Sequence, residues 1–149
     1  GSGNMTRSKR LEPVHRLADD EERRLARSLA TFDRRVAEAE AKLAELQQYR
    51  QEYERQFSAR VEGGMGATAL RDYQAFLARL SDAIRQQGAL LERARAEREL
   101  ERTKWQKAAT RAKAVDHVME RWRMEERQAL ERREQRESDE RAQRKVQQL

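Results

Sequence analysis

Apolar side chains recur at alternating intervals of four and three residues in two long stretches of this chain. In the first stretch, every position of the repeat except one is apolar or aromatic: Leu25, Leu29, Phe32, Val36, Ala39, Leu43, Leu46, Arg50, Tyr53 and Phe57. The second stretch runs from Leu70 to Trp122, with polar residues at Gln87, Arg98 and Glu101. This spacing puts the apolar side chains on one stripe of a helix, which is the seam of a coiled coil.

A glycine-rich break at residues 62–66 separates the two stretches. Neither helix can bury its stripe alone, and a short connection folds two such helices back on each other. The sequence therefore predicts an all-α fold, a long two-helix antiparallel coiled-coil hairpin. We expect helix 1 over about residues 12–61, starting near Pro13, whose fixed φ suits a first turn. A turn over 62–67 follows, and then helix 2 over about 68–122, with Thr68 as its N-cap and a charged helical extension over 123–149. Residues 1–4 are interpreted as a cloning remnant, leaving 5–149 as a single hairpin.

Composition agrees with a fold that buries only a seam. Charged residues make up 40% of the 149 residues, and the mean hydropathy is -1.17. There is no cysteine, and no signal peptide or membrane span is apparent. The net charge of +6 arises from 33 basic residues interleaved with 27 acidic ones. Such interleaving favours a solvated coiled-coil surface over a nucleic-acid interface.

The charge pattern also predicts the register of the hairpin. If Phe57 faces Tyr73, then Leu25 faces Trp105, and Leu46 faces Ile84. The flanking positions then have opposite charges, with Arg35 opposite Glu97, Glu21 opposite Arg111, and Asp33 opposite Arg95. Exposed pairs of this kind select a register more than they stabilise the fold.

No catalytic, cofactor-binding or metal-binding constellation is found in the sequence. The only histidines, His15 and His117, fall on different helices and are better explained as surface or seam-edge residues. The glycines of the break lack the lysine and hydroxyl residue of a phosphate-binding loop and indicate a tight turn instead.

Two aromatic residues near the turn lie beside the predicted seam. Tyr49 and Phe76 both fall on the same flank of the hairpin, which widens the apolar stripe. One side of the hairpin thus presents Lys42, Leu46, Tyr49, Tyr53, Phe76, Leu80, Ala83 and Gln87. The rings either fold back to shield the seam or form a docking patch for a partner protein.

The opposite, open end of the hairpin is basic. Candidates for contact with an acidic partner there are Arg7, Lys9, Arg10, Arg121 and Arg123. Trp105 is expected to fill the seam. Trp122 is expected at or past the end of helix 1, where it needs a cover from a partner or a second copy of the chain.

Two segments beside the turn resemble the FliJ family of flagellar export proteins. They are residues 46–53 (LQQYRQEY) and residues 72–80 (DYQAFLARL), followed by Ile84. The resemblance implies a non-enzymatic protein similar to the central shaft of rotary ATPases. It further implies that the open end enters the hexameric export ATPase and that the face near the turn contacts the cytosolic domain of the export gate, FlhA. Export chaperones are further implied partners, and the implied location is the cytoplasmic face of the inner membrane, where partners hold the protein.

Two other functions remain open on sequence grounds. A basic coiled-coil arm that binds nucleic acid or the ribosome would explain the isoelectric point of about 10.0. Against it, the chain has no platform of aromatic and arginine residues for base stacking. A generic structural coiled coil would also explain the seam. In that case the aromatic residues beside the seam would only pack against it.

Overall fold

The structure, a computed structural model, describes residues 5–148, so the interpretation of residues 1–4 lies outside the described part. Two helices follow each other in the chain: α1 at Arg7–Glu62 and α2 at Ala67–Gln147. The described residues contain no strand. The two helices pack against each other as a hairpin, which confirms the predicted all-α fold class.

Helix α1 begins at Arg7, ahead of the start near residue 12 that Pro13 suggested. Thr6 caps this terminus, since its Oγ1 accepts a hydrogen bond of 3.3 Å from the amide of Lys9. Pro13 therefore lies inside the helix. Because proline has no amide hydrogen, the carbonyl of Lys9 loses its usual donor. The helix nevertheless extends to Arg7, and contacts of its first residues with α2 stabilise that turn.

Glycine ends α1 and precedes α2. The amides of Gly63 and Gly64 close the last turn on the carbonyls of Arg60 and Val61, each at 3.1 Å. Gly64 has a φ of 86°, a conformation that a side chain disfavours. Helix α2 then begins at Ala67, before the Thr68 that the sequence suggested as its cap. The carbonyl of Gly66 accepts the first intrahelical bond instead.

The contacts divide the chain into two units. Within the described residues, unit 1 comprises residues 5–25 together with residues 105–148. Its buried core is narrow and made mainly of small side chains, together with one fully buried methionine: Ala18, Leu25, Ala108, Ala112 and Met119. Residues 127–147 of α2 are all exposed. This stretch stays helical with charged pairs along its surface, such as Arg133 with Glu137 at 3.7 Å.

Unit 2 comprises Ala26–Lys104. Its most buried apolar residues are Val36, Leu80 and Leu91. The buried carboxylate of Glu101 accepts a hydrogen bond of 2.7 Å from the hydroxyl of Ser28. The polar interruption of the seam at this position is thus satisfied by a polar neighbour on the other helix.

The predicted register was defined by Phe57 facing Tyr73, and the structure confirms that pair. The rings of Phe57 and Tyr73 are stacked, with centroids 3.5 Å apart. Farther from the turn, Nε2 of Gln87 donates to the carbonyl of Ala39 at 3.2 Å.

None of the three predicted charge pairs forms an ion pair among residues 5–148, although the charge of Arg111 contributes to lowering the pKa of the Glu21 carboxyl. Arg95 contacts Glu40 at 3.3 Å and Glu92 at 2.7 Å, whereas Asp33 lies 3.9 Å from Arg98. Side chains on a helix lean toward its N-terminus. On an antiparallel partner that lean is toward higher residue numbers of α1, so Arg95 meets Glu40 instead of Asp33.

Candidate protein-docking site

The structure brings the predicted aromatic residues of unit 2 into one cluster. The ring of Phe76 lies 4.5 Å from Tyr53 and 6.1 Å from Tyr49, the latter edge to face. Tyr49 remains 49% exposed, while Phe76 and Tyr53 are half-buried. Aromatic pairs at these distances attract each other beyond simple burial. The cluster is therefore held together from within and still presents one ring to solvent.

Two further aromatic residues extend the cluster toward the turn. Tyr73 stacks on Tyr53 at 5.0 Å and on Phe57 at 3.5 Å. Burial raises the pKa of the Tyr73 hydroxyl, and the charge of Glu54 adds to the increase. The phenol thus stays neutral. Tyr73 and Phe57 were expected only as seam residues, and the pairing of seam positions across the hairpin was the signal that could have added them to the cluster.

The remaining residues of the predicted face differ in how accessible they are. Leu80 is buried, whereas Leu46 and Ala83 are half-buried. Lys42 is exposed, with its Nζ 3.9 Å from a carboxylate oxygen of Glu45. Gln87 is half-buried and uses its amide for the bond to the α1 backbone. Of the eight predicted residues, Tyr49 and Lys42 are the most open to a partner. We refer to all eight as the aromatic face.

At the open end, the five predicted basic residues fall into two groups. Arg7 contacts Glu125 at 2.9 Å, and Arg123 lies 3.9 Å from Glu12. Both are ion pairs between the two helices. Lys9, Arg10 and Arg121 are exposed and form no ion pair with any residue between 5 and 148. Of the five predicted residues, these last three are the ones whose charge is unpaired.

The expectation for Trp122 needs correction. The guanidinium of Arg7 lies over its ring, 4.6 Å from the ring centroid, and the indole is half-buried. The cover comes from α1 itself, because α1 begins earlier than Pro13 suggested. Trp105 is half-buried in the seam, and its indole N–H donates to Glu22 at 2.9 Å.

The described part of the chain gives little support for a catalytic or metal-binding site. Between residues 5 and 148, no group of three or more acidic, histidine or cysteine side chains could hold a metal ion. His15 contacts Asp116 at 3.0 Å, whereas His117 is exposed. Over the same residues, neither helix contains an apolar stretch of membrane-spanning length.

These observations define the class of the protein as a two-helix coiled-coil hairpin with polar contacts across its seam. The sequence profile of a family described as "Flagellar FliJ protein" matches residues 7–148. Searches of curated proteins and of solved structures found no match. The chain belongs to the flagellar FliJ family, as the segments beside the turn suggested. This family is structural and not a known class of enzymes, and membership gives the chain a role related to flagellar export.

Proposed function

We propose that the chain is the non-enzymatic stalk and coupling protein of flagellar protein export. In this proposal the open end inserts into the hexameric export ATPase, and the aromatic face docks on the cytosolic domain of the export gate, FlhA. Partners hold the protein at the cytoplasmic face of the inner membrane, and export chaperones are further partners. Family membership and the unpaired features of the two surfaces support this function.

The observation that supports gate docking best is the position of Tyr49. Its ring lies beside the seam, packs edge to face on Phe76, and is still half exposed. A ring that only shielded the seam would lose most of its exposure. A rigidly held, partly exposed aromatic ring is typical of the residues that dominate protein interfaces.

The first experiment removes this ring. Tyr49→Ala should weaken binding of the soluble gate domain by about 2 kcal/mol, roughly thirtyfold in affinity, because a desolvated aromatic anchor contributes disproportionately. The loss of stability should be modest, about 1 kcal/mol or less. Phe76→Ala should reduce binding similarly but lower the melting temperature more, since Phe76 also packs on Tyr53. Isothermal titration calorimetry and thermal unfolding measure the two effects.

A seam variant of unit 2 provides the matched control. Leu91 is buried in the seam, so Leu91→Ala should cost about 2–5 kcal/mol of stability. Where the variant is still folded, it should bind the gate domain normally. If Tyr49→Ala binds the gate domain as tightly as the unchanged protein, the ring is packing only and the site assignment is wrong.

The open end supports the second half of the proposal through its unpaired charge. Lys9, Arg10 and Arg121 are exposed and form no ion pair within residues 5–148, so their field is available to an acidic surface of the ATPase ring. Arg7 and Arg123 are engaged in ion pairs between the helices. Their contribution to ring binding would require those pairs to rearrange.

The second experiment reverses the unpaired charges. The triple variant Lys9→Glu, Arg10→Glu and Arg121→Glu should reduce stimulation of the export ATPase at physiological salt by tenfold or more, with helix content unchanged by circular dichroism. The control reverses three exposed arginines of unit 2, Arg55, Arg71 and Arg79. Undiminished stimulation by the first variant, or equal loss with the control, would contradict insertion of the open end.

A further inference from the structure

A groove beside the seam of unit 1 leaves apolar side chains open to solvent. It is lined by Val14, Leu17, Ala18 and Glu21 of α1 and by Ala108 and Arg111 of α2. Val14 is 42% exposed and Leu17 is 70% exposed. The groove exists because Ala18 and Ala108 are too short to fill the space between the helices.

Positive charge predominates around this groove. Arg111 lines the groove at a flanking position of the repeat, whereas Arg10, Lys107 and Arg121 lie in the next row outward on the same side of the seam, and all four are exposed. Within residues 5–148 none of the four forms an ion pair. The acidic residues on the same side are already neutralised by neighbours, with Glu21 bound to Arg24 at 2.6 Å and Glu125 bound to Arg7 at 2.9 Å.

The electrostatics of Glu21 agree with this imbalance. The hydrogen bond from Arg24 lowers the pKa of the Glu21 carboxyl, and the charges of Arg24 and Arg111 lower it further. The one carboxylate that lines the groove is therefore ionised at neutral pH and already paired. An additional carboxylate brought to the rim would meet exposed cations that form no ion pair within residues 5–148.

We infer that this groove binds an acidic amphipathic helix of a partner protein. The apolar stripe of such a helix packs on Leu17 and Val14, while carboxylates beside that stripe meet the cations of the rim. A helix fits better than an anionic membrane surface for two reasons. The groove is concave between two helices, where a third helix can insert its side chains, and no aromatic residue lines it. This binding does not depend on insertion of the open end into the export ATPase or on docking of the aromatic face to the export gate.

The test uses synthetic peptides as probes. The acidic probe is a fluorescein-labelled 21-residue helix with leucine at the two seam positions of each heptad and glutamate at both flanking positions. The comparison probe has lysine in place of those glutamates. Fluorescence anisotropy with the full chain should show the acidic helix binding at least tenfold more tightly than the basic one, and the difference should shrink as salt is added.

Two variants of the groove and one control identify the contact. Leu17→Ser should weaken binding of the acidic helix at least tenfold. The pair Lys107→Glu and Arg111→Glu should reduce the preference for the acidic helix to threefold or less. Leu100→Ser is the matched control, because Leu100 is 68% exposed but lies in unit 2. It should bind the probe unchanged.

Several outcomes would overturn the inference. These are no binding of the acidic helix, equal binding of both helices, or binding that Leu17→Ser leaves unchanged. Vesicles of phosphatidylglycerol and phosphatidylcholine test the membrane alternative. If the chain binds them through Leu17 and does not bind the acidic helix, the groove contacts lipid. Self-association that Leu17→Ser abolishes, measured by sedimentation equilibrium, would assign the groove to a second copy of the chain.

Discussion

At the scale of single residues, the seam is notable for polar side chains that have partners on the opposite helix. Glu101 is bound by Ser28, Trp105 donates to Glu22, and Ser8 donates to Glu126 through both its hydroxyl at 2.6 Å and its amide at 3.1 Å. A buried polar group without a partner would cost about 1–3 kcal/mol. The contacts of Glu101 and Ser8, which are the buried polar residues among these, avoid such a cost. Each of the three contacts favours one register because a shift would separate its partners.

The contact between Ser8 and Glu126 predicts a pH dependence. Hydrogen bonds from the Ser8 hydroxyl and amide hold the pKa of Glu126 below its usual value, and the charges of Arg7 and Arg123 lower it further. A carboxyl whose pKa is lower in the folded state stabilises that state above its unfolded pKa, about 4.3. The stabilisation is lost as the pH falls through the lower, folded pKa. The amide resonance of Ser8 in NMR spectra should therefore titrate with a midpoint below that of a free glutamate.

Glu126→Gln should abolish this titration and increase hydrogen exchange in the first turn of α1 at neutral pH. Glu120→Gln is the control, because Glu120 is exposed on the same helix. A Ser8 titration that survives Glu126→Gln, or one with a midpoint above 4.3, would show that this carboxylate does not hold the start of α1.

At the scale of the helices, the period of the apolar residues was sufficient to predict the two helices and their pairing but not where α1 begins. The two apolar repeats predicted α1, its antiparallel partner and a register in which Phe57 faces Tyr73, and the structure adds that these two rings stack. The start of α1 predicted from Pro13 was wrong, because local helix preferences carry no information about the distant contact between Ser8 and Glu126. The first of the two repeats could place Tyr49 beside the seam.

Side-chain reach explains what periodicity missed in unit 2. The sequence pattern placed Gln87 on the aromatic face. In the structure, its side-chain amide donates a hydrogen bond to the backbone carbonyl of Ala39. The sequence pattern also paired Arg95 with the wrong acid, because long side chains lean along the helix axis. Such contacts depend on rotamers and on the opposite backbone, and neither is encoded in the spacing of apolar residues.

Engineered disulfides test the pairing of the helices in each unit. The chain has no cysteine, so introduced pairs have no competitor. Leu25→Cys with Trp105→Cys in unit 1, and Leu46→Cys with Ile84→Cys in unit 2, should oxidise within one chain, as judged by mobility on non-reducing gels. Leu25→Cys with Ala112→Cys, one heptad out of register, should not. Disulfide-linked dimers formed through Leu25→Cys alone would contradict the hairpin.

At the scale of the whole molecule, composition and family membership agree on a protein that acts by contact. With 40% charged residues the chain buries a seam and exposes nearly everything else. Membership in the flagellar FliJ family gives it a role related to flagellar export. The aromatic face of unit 2 and the unpaired cations of unit 1 differ in chemistry, since the first is rich in aromatic rings and the second is basic. Two partners of different character are therefore the simplest expectation.

Co-assembly with those two partners tests the central claim most directly. The chain is mixed with the export ATPase and the soluble gate domain at physiological salt and resolved by size-exclusion chromatography, with nuclease treatment to remove bulk nucleic acid. We expect it to co-elute with each partner separately, the gate domain being lost on Tyr49→Ala and the ATPase on charge reversal at Lys9, Arg10 and Arg121. Co-elution with neither partner, together with salt-dependent retention of RNA, would contradict the account and favour a nucleic-acid-binding arm.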